Sequence, residues 1–363
     1  RKPQRLPRVM NDPEATMPPL PRIAAADRCR GSLPRIAAAD RCRGSLPRIA
    51  ADARRTFRQP MRLDLVGASD VCRRYMKGHD VKNGTKIAFV GPGVMAEAMI
   101  AGLIGQKVVP ANSIVASGPS GKRAEKLSGR YAILTVTENS DAVKGADVVV
   151  LAVKPQRLDP VMRDLHGSIK PSALVLSIIA GASIEKIAAG LDHDLIVRSM
   201  PNTPAQIGEG VTVWTANDTV SDQLKEHARE ILAAFGDEVY VDEERFLDMA
   251  TALSGTGPAY VFLFMEAMVD AGVHLGFSRE IAERLVAKTV RGSVDFYSKP
   301  DDPLHLARLR NQVTSPGGTS AAALYYLEKA GFRTAISRAV WAAYERSREL
   351  GVDSSAHAPE TLA

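Results

Sequence analysis

Residues 86–96 read Lys-Ile-Ala-Phe-Val-Gly-Pro-Gly-Val-Met-Ala, and their types and spacing suit the grip of a pyrophosphate. Five residues fit for a buried strand run into Gly91, Gly93 and the small Ala96. A helical pattern follows through Glu97, Met99, Ile100 and Leu103. Strand, glycine turn and helix in that order form the dinucleotide fingerprint. Gly91 permits the tight turn, Gly93 has no side chain to hold the backbone off a pyrophosphate, and Ala96 lets the helix lie close to the strand. The first helical amides then face the phosphates with the positive end of the dipole. The competing reading is a plain glycine turn between packed elements.

A domain of this kind that prefers NAD places an acid about 20 residues past the glycines, on the ribose hydroxyls. The corresponding stretch, Ser113-Ile-Val-Ala-Ser-Gly118, has no acid before Glu125. Ser117, Ser120, Lys122 and Arg123 supply hydroxyls and positive charge instead, which suits a 2′-phosphate and points to NADP over NAD. Alternatively, Lys122 and Arg123 only solvate a helix start.

Three more loops follow strand signals: Ala152-Val-Lys-Pro-Gln156, Ser177-Ile-Ile-Ala-Gly181 and Met200-Pro-Asn-Thr-Pro204. Ligands in open α/β sheets sit beyond the carboxyl ends of the strands, so these loops belong to the expected site. Lys154 is their cation, and either contacts cofactor or caps the strand end. Prolines around Asn202 and Thr203 stiffen the last loop, which suits a preorganised contact. Farther on, Ser254-Gly-Thr-Gly-Pro-Ala259 and Thr314-Ser-Pro-Gly-Gly-Thr-Ser320 each open a helix with free amides and hydroxyls, a fit for a small carboxylate. Taken singly, either reads as an ordinary capped helix start. The seven histidines are scattered without metal-ligand spacing, so no metal site is expected. No Ser-His-Asp arrangement is visible.

The elements that must position these loops alternate from residue 85 to about 240. Predicted strands are 86–90, 113–116, 132–136, 148–153, 173–178, 195–199, 211–214 and 239–241. Predicted helices are 95–104, 123–127, 156–165, 184–190 and 222–234. The alternation argues for a mostly parallel sheet covered on both faces. From about 245 the pattern turns helical: 246–253, 258–273, 278–294, 303–312, 320–329 and 332–350. Pro258 and Pro303 suit first helical positions, Ser278 and Asp302 suit caps, and Gly331 and Gly351 suit helix stops. The fold class is therefore α/β: a Rossmann-like doubly wound sheet (84–244), then an all-helical domain (245–352) and a disordered tail (353–363). The 258–273 helix is apolar almost all round, from Val261 to Val269, which implies burial by a second subunit. Glu266 and Asp270 in it read as partners for caps or arginines rather than an acid/base pair.

The charge is divided by region. Residues 1–83 carry 19 Lys+Arg against 8 Asp+Glu, while the other 280 carry 28 against 33. The body is thus mildly acidic, with no nucleic-acid footprint. All three cysteines lie in the first part, so the body has neither disulfide nor thiolate chemistry, which fits a reducing, cytoplasmic setting. No apolar run reaches the ~20 residues of a membrane span. Leu20–Ser32 is repeated without change at Leu33–Ser45, and a third copy begins at Leu46. With few large apolar residues, this arm is expected to be disordered. It is too acidic for a targeting peptide and has too few aromatics for a nucleic-acid tether. By position, Met61 and Met76 are candidate initiators.

Together these motifs resemble the pyrroline-5-carboxylate reductase family, over Lys86 to Leu350. The matching runs are Gly91-Pro-Gly-Val-Met-Ala96, Ala152-Val-Lys-Pro155, Met200-Pro-Asn-Thr-Pro204, Leu253-Ser-Gly-Thr-Gly-Pro-Ala-Tyr260 and Val313-Thr-Ser-Pro-Gly-Gly-Thr-Ser320. The resemblance implies reduction of L-1-pyrroline-5-carboxylate to L-proline with NADPH, NADH being kept as an alternative. It also implies a helical dimerisation domain with the site near its interface. Family cofactor contacts fall on Gly91, Pro92, Gly93, Val94, Met95, Ala96, Ser117, Gly118, Asn139, Ala152, Val153, Lys154, Pro155, Ile178, Ile179 and Ala180, beside the Lys122 and Arg123 inferred above. Substrate contacts fall on Ser315, Gly317, Gly318, Thr319 and Ser320, with Asn202 added from its loop. Thr319 and Ser320 are the expected catalytic pair, Ser320 orienting the ring nitrogen. Ser320 stands where the family usually has Thr, Thr256 where it usually has Ser, and Pro92 where Ala is usual; the two hydroxyls are kept. A hydroxyacid reductase would share the nucleotide domain but carry a catalytic Lys and Asn on the 258–273 helix, which has neither. A non-catalytic NADP-binding protein would bind cofactor without turnover.

Overall fold

In the computed structural model, which describes residues 84–118, 121–299 and 304–353, the central strand explains the layering. Strand β1 (Ile87–Val90) sends Ile87 and Phe89 to one face and Ala88 and Val90 to the other, and all four are fully buried. Its neighbour β4 (Val148–Leu151) repeats the pattern, with Val148 and Val150 on the first face and Val149 and Leu151 on the second. A strand apolar on every residue must be covered on both sides, and helices do so here. The first face lies under α1 (Val94–Gly105), α2 (Gly121–Tyr131) and α6 (Asp222–Ala233). The second lies under α3 (Asn139–Val143), α4 (Leu158–Leu165) and α5 (Ile184–Leu191).

The remaining strands are β2 (Ile114–Ser117), β3 (Leu134–Val136), β5 (Leu174–Ser177), β6 (Ile196–Met200), β7 (Gly210–Ala216) and β8 (Gly236–Tyr240). The sheet order is β3-β2-β1-β4-β5-β6-β7-β8. Every neighbouring pair is parallel except β6–β7, so the last two strands run against the first six. The eight predicted strands are all present. The third starts two residues late because Ala132 adopts a left-handed φ of 56°. The short helix α3 escapes the sequence pattern, yet it is what carries Asn139 to the sheet edge.

Beyond the sheet come α7 (Arg245–Ala250), α8 (Gly257–His274), α9 (Arg279–Ser298), α10 (Leu306–Gln312), α11 (Thr319–Lys329) and α12 (Phe332–Asp353). Ser278 caps α9 as expected, accepting from the Ile281 amide. Asp270 pairs with Arg279 at 2.9 Å, so it serves a local ion pair. Gly331, with φ 74°, separates α11 from α12. Gly351 does not stop α12, which continues to Asp353, the first residue of the expected tail. Its role is close approach: a Cβ there would stand 2.7 Å from the Gly181 carbonyl oxygen. Expectations for residues 1–83, Ser120, Asp302, Pro303 and 354–363 lie outside the described residues.

The sheet and the helical region are tied by a buried cation. Arg198 on β6 donates to Glu244 at 2.8 Å and to Asp248 on α7 at 3.0 Å. Asp248 also accepts from Ser347 on α12, and Glu244 from the Ile184 amide at the start of α5. One guanidinium thus joins β6, α5, α7 and α12. Breaking a buried pair of this kind costs about 3–5 kcal/mol, since it strands the remaining charges.

Candidate active site

The glycine turn has the expected shape. Gly91 takes φ +87°, and a Cβ there would stand 2.5 Å from the Val153 side chain, so only glycine fits both the backbone and the packing. A Cβ at Gly93 would meet nothing within 4 Å, which leaves the backbone open to a ligand. Among the described residues no side chain caps α1, and Val94 is exposed while Ala96 is buried under the helix. Met95 packs partly on the core of the first face. Pro92 packs over Gly118, where a Cβ would stand 2.8 Å from the proline ring.

Around this turn opens a cavity of about 750 Å³. Gly91, Pro92, Gly93, Ser117, Gly118, Arg123, Asn139, Ala152, Val153 and Lys154 line it, all expected from the sequence. A pyrophosphate cradle with glycine backbone at its floor and uncapped helix amides beside it fits a dinucleotide. Pro155 opens a single 3₁₀ turn after Lys154. Ile179 is buried in the second-face core, so only its backbone is available to a ligand, while Ile178 and Ala180 are partly exposed.

Two expected cofactor residues stand differently from the sequence reading. Arg123 is committed to the fold: its Nε donates to the Pro92 carbonyl at 2.8 Å and its Nη2 pairs with Glu97 at 2.7 Å. It braces the glycine turn. Lys122 is exposed and lies outside the cavity lining. The lining also holds an acid that sequence reasoning missed. Ser117 Oγ donates to Asn139 Oδ1 at 2.8 Å, and Asn139 Nδ2 donates to Asp164 Oδ2 at 2.8 Å. Asp164 comes from α4, far from the zone searched for a ribose acid.

Asn202, expected at the substrate, is a brace instead. It is 8% exposed; its Oδ1 accepts from the Val211 amide at 3.0 Å and its Nδ2 donates to the Ser254 carbonyl at 3.2 Å. It links the end of β6 to the segment between α7 and α8. That segment, Thr251–Gly255, is a π-turn rather than a free helix start. The Thr256 amide bonds the Thr251 carbonyl, and the hydroxyls of Thr251, Ser254 and Thr256 donate back to carbonyls four or five residues earlier. The amides and hydroxyls expected to hold an anion at 254–259 are therefore engaged within the helix. The π-turn also joins α7 and α8 into one helix, Arg245–His274, which by length and composition is apolar enough to cross a membrane. In the sequence the apolar run 259–268 is too short to span, and only the joined helix reaches that length.

The second glycine-rich segment keeps its expected character. Ser315-Pro-Gly-Gly318 forms a turn closed by the Gly318 amide on the Ser315 carbonyl at 3.1 Å, with Gly317 at φ +70°. Pro at the second place and a positive-φ glycine at the third is the type II arrangement. The Ser315 hydroxyl lies over Gly318, where a Cβ would stand 2.4 Å from Oγ. Helix α11 starts at Thr319 with no side-chain cap, so the first-turn amides around Thr319 and Ser320 have no intrahelical partner. Within one chain the turn is largely exposed and does not line the dinucleotide cavity.

Much of the helical surface around it is apolar and uncovered. Phe262 and Leu263 on α8 are 61% and 67% exposed, and Tyr325, Tyr326 and Trp341 are similarly open. The burial expected of the 258–273 helix is not supplied by the described residues.

Two family models match parts of this chain. Residues 244–350 match the family model for pyrroline-5-carboxylate reductase dimerisation, and residues 86–181 match that for coenzyme F420-dependent NADP oxidoreductases. A pyrroline-5-carboxylate reductase of Synechocystis is 42% identical over 73% of this chain and 98% of the relative. That of Pseudomonas aeruginosa is 43% identical, covering 73% and 96%. The crystal structure of the Plasmodium falciparum enzyme with NADP bound superposes with a TM-score of 0.68 at 34% identity, covering 76% of this chain and 100% of that one. A Coxiella burnetii structure gives 0.68 at 36%, covering 74% and 99%. From the glycine turn to the last helix, the chain belongs to the pyrroline-5-carboxylate reductase family.

Proposed function

We propose that this chain reduces L-1-pyrroline-5-carboxylate to L-proline, the last step of proline formation, with NADPH as hydride donor and NADH as the alternative. The observation that carries this reading is the presence on one chain of two complementary grips: a glycine turn open to a pyrophosphate, and an uncapped helix start behind Ser315-Pro-Gly-Gly318. When bound, the reduced nicotinamide supplies the hydride.

The chain's own task is positioning. A protonated cyclic imine is already electrophilic, so little acid or base is required, and the effective gain comes from orientation. The backbone of Gly317 and Gly318, the amides of Thr319 and Ser320 and the hydroxyls of Ser315 and Thr319 grip the substrate carboxylate. The Ser320 hydroxyl orients the ring nitrogen. Residues 84–244 act as the nucleotide domain and 245–352 as the substrate and dimerisation domain. The exposed face of α8 is covered by a second copy rather than by lipid or nucleic acid, and that copy closes the site. A cysteine-free body acting on a small soluble substrate suits the cytoplasm.

The test is oxidation of NADPH by the purified chain, with pyrroline-5-carboxylate and its six-membered homologue assayed side by side. Turnover is expected with both cofactors and to be faster with the five-membered ring. Cofactor binding without oxidation by either imine would leave a non-catalytic nucleotide-binding protein.

A further inference from the structure

We propose that Asp164 sets the balance between NADH and NADPH at this site, an inference that rests on the nucleotide-binding reading above. The end of β2, where a ribose-binding acid normally stands, holds Ser117. Ser117 is fully buried and its hydroxyl faces two oxygens: Asn139 Oδ1 at 2.8 Å and the Phe89 carbonyl at 3.5 Å. On its other side, Asn139 meets Asp164 at 2.8 Å. An ionised carboxylate only accepts hydrogen bonds, so the amide nitrogen of Asn139 must face Asp164 and its oxygen must face Ser117. The proton of Ser117 therefore points inward, toward Asn139. Three residues from β2, α3 and α4 form a chain with one direction, and it ends on a negative charge.

Asp164 lines the dinucleotide cavity, as does Asn139, to which it is bonded. Arg123, the cation expected to favour a 2′-phosphate, also lines the cavity but is turned toward Glu97 and the Pro92 carbonyl. Lys154 and Arg157, the other cations of the lining, belong to the loop after β4. Asp164 thus restores, from another helix and through Asn139, the acid that β2 lacks. A carboxylate there accepts from ribose hydroxyls and repels a 2′-phosphate. Asp164 itself is exposed on α4, so its side chain is not needed to fill the core.

The experiment measures dissociation constants for NADPH and NADH in the wild-type chain, Asp164→Asn and Asp164→Ala, with kcat/KM for both cofactors alongside. Asp164→Asn keeps an acceptor for Asn139 and removes only the charge. In both variants the preference for NADPH over NADH should rise about fivefold or more, the scale of losing one partly screened like charge. Unfolding midpoints should stay near wild type. A preference unchanged within about twofold in both overturns the proposal. So does a rise in Asp164→Ala alone, since that would assign the effect to amide orientation and not to charge. Failure of all three proteins to oxidise NADPH would count against the activity, while the binding ratio would still decide the role of Asp164.

Discussion

The sheet and the helices solve the same problem in opposite ways. In the sheet region, β1 and β4 bury every residue between two helical layers drawn from the same chain. In the helical region, α8 buries one residue, Val269, and leaves Phe262, Leu263 and Phe264 open. The first region completes its own core and its own cavity. The second is built for a surface it does not contain. The glycine turn opens into a cavity lined by one chain, while the Ser315–Ser320 turn is largely exposed within that chain.

The strongest way to break this contrast is to charge the open helix. Phe262→Asp with Leu263→Asp should abolish self-association and cut turnover by roughly 100-fold or more, as expected when an interface core is charged. NADPH affinity should stay near wild type. Sedimentation with activity on the same samples checks it, and a fully active monomer would show that the regions do not differ in this way. Next in size is the joint between them. Arg198→Ala should lower unfolding free energy by about 3–5 kcal/mol; a loss below about 1 kcal/mol in urea titration would mean the clamp contributes little. Ser320→Ala should reduce kcat on the order of 100-fold, the scale of a lost orienting contact, and leave the NADPH dissociation constant almost unchanged. The reverse pattern would move Ser320 to the cofactor.

The smallest effect belongs to the sheet rim. Burial pushes the Asp147 carboxyl up, but bonds from Lys170 and the Lys86 amide outweigh it and hold it below its ordinary value. A group depressed in the fold stabilises above its unfolded value and loses that contribution as pH falls through the folded one. Asp147→Asn should therefore cost under about 1 kcal/mol at neutral pH, since the pair is well exposed, and the cost should vanish in acid. Unfolding curves taken stepwise from pH 7 into acid should show the difference shrinking as pH falls below the ordinary carboxylate range; a difference that never changes with pH would rule out this account.

Local pattern carried most of the sheet. Strand, glycine and helix are contiguous around Gly91, so a short window holds the whole cradle. The Ser-Pro-Gly-Gly turn was legible for the same reason. What stayed hidden needs distant partners. Asp164 joins the cavity through a hydrogen bond to Asn139, 25 residues away. Asn202 looks like a ligand contact until Val211 and Ser254 are seen to occupy its amide. Arg123 reads as a free cation until Glu97 is beside it. Gly351 reads as a helix end because its true reason, the Gly181 carbonyl, lies on another element. Residues 254–259 read as a free helix start because Gly and Pro usually interrupt helices, whereas in the fold the Thr251, Ser254 and Thr256 hydroxyls bond back to carbonyls four or five residues earlier.

That turn has a consequence for how the chain tolerates change. Each residue advances a helix by about 100°. The single wide turn at Thr251–Gly255 therefore works like an offset key in a shaft, fixing which way Phe262 and Leu263 face relative to Asp248. Deleting one residue there would leave both flanking segments helical yet swing Phe262 and Leu263 by more than a quarter revolution, so the length of this short stretch should matter more than its composition.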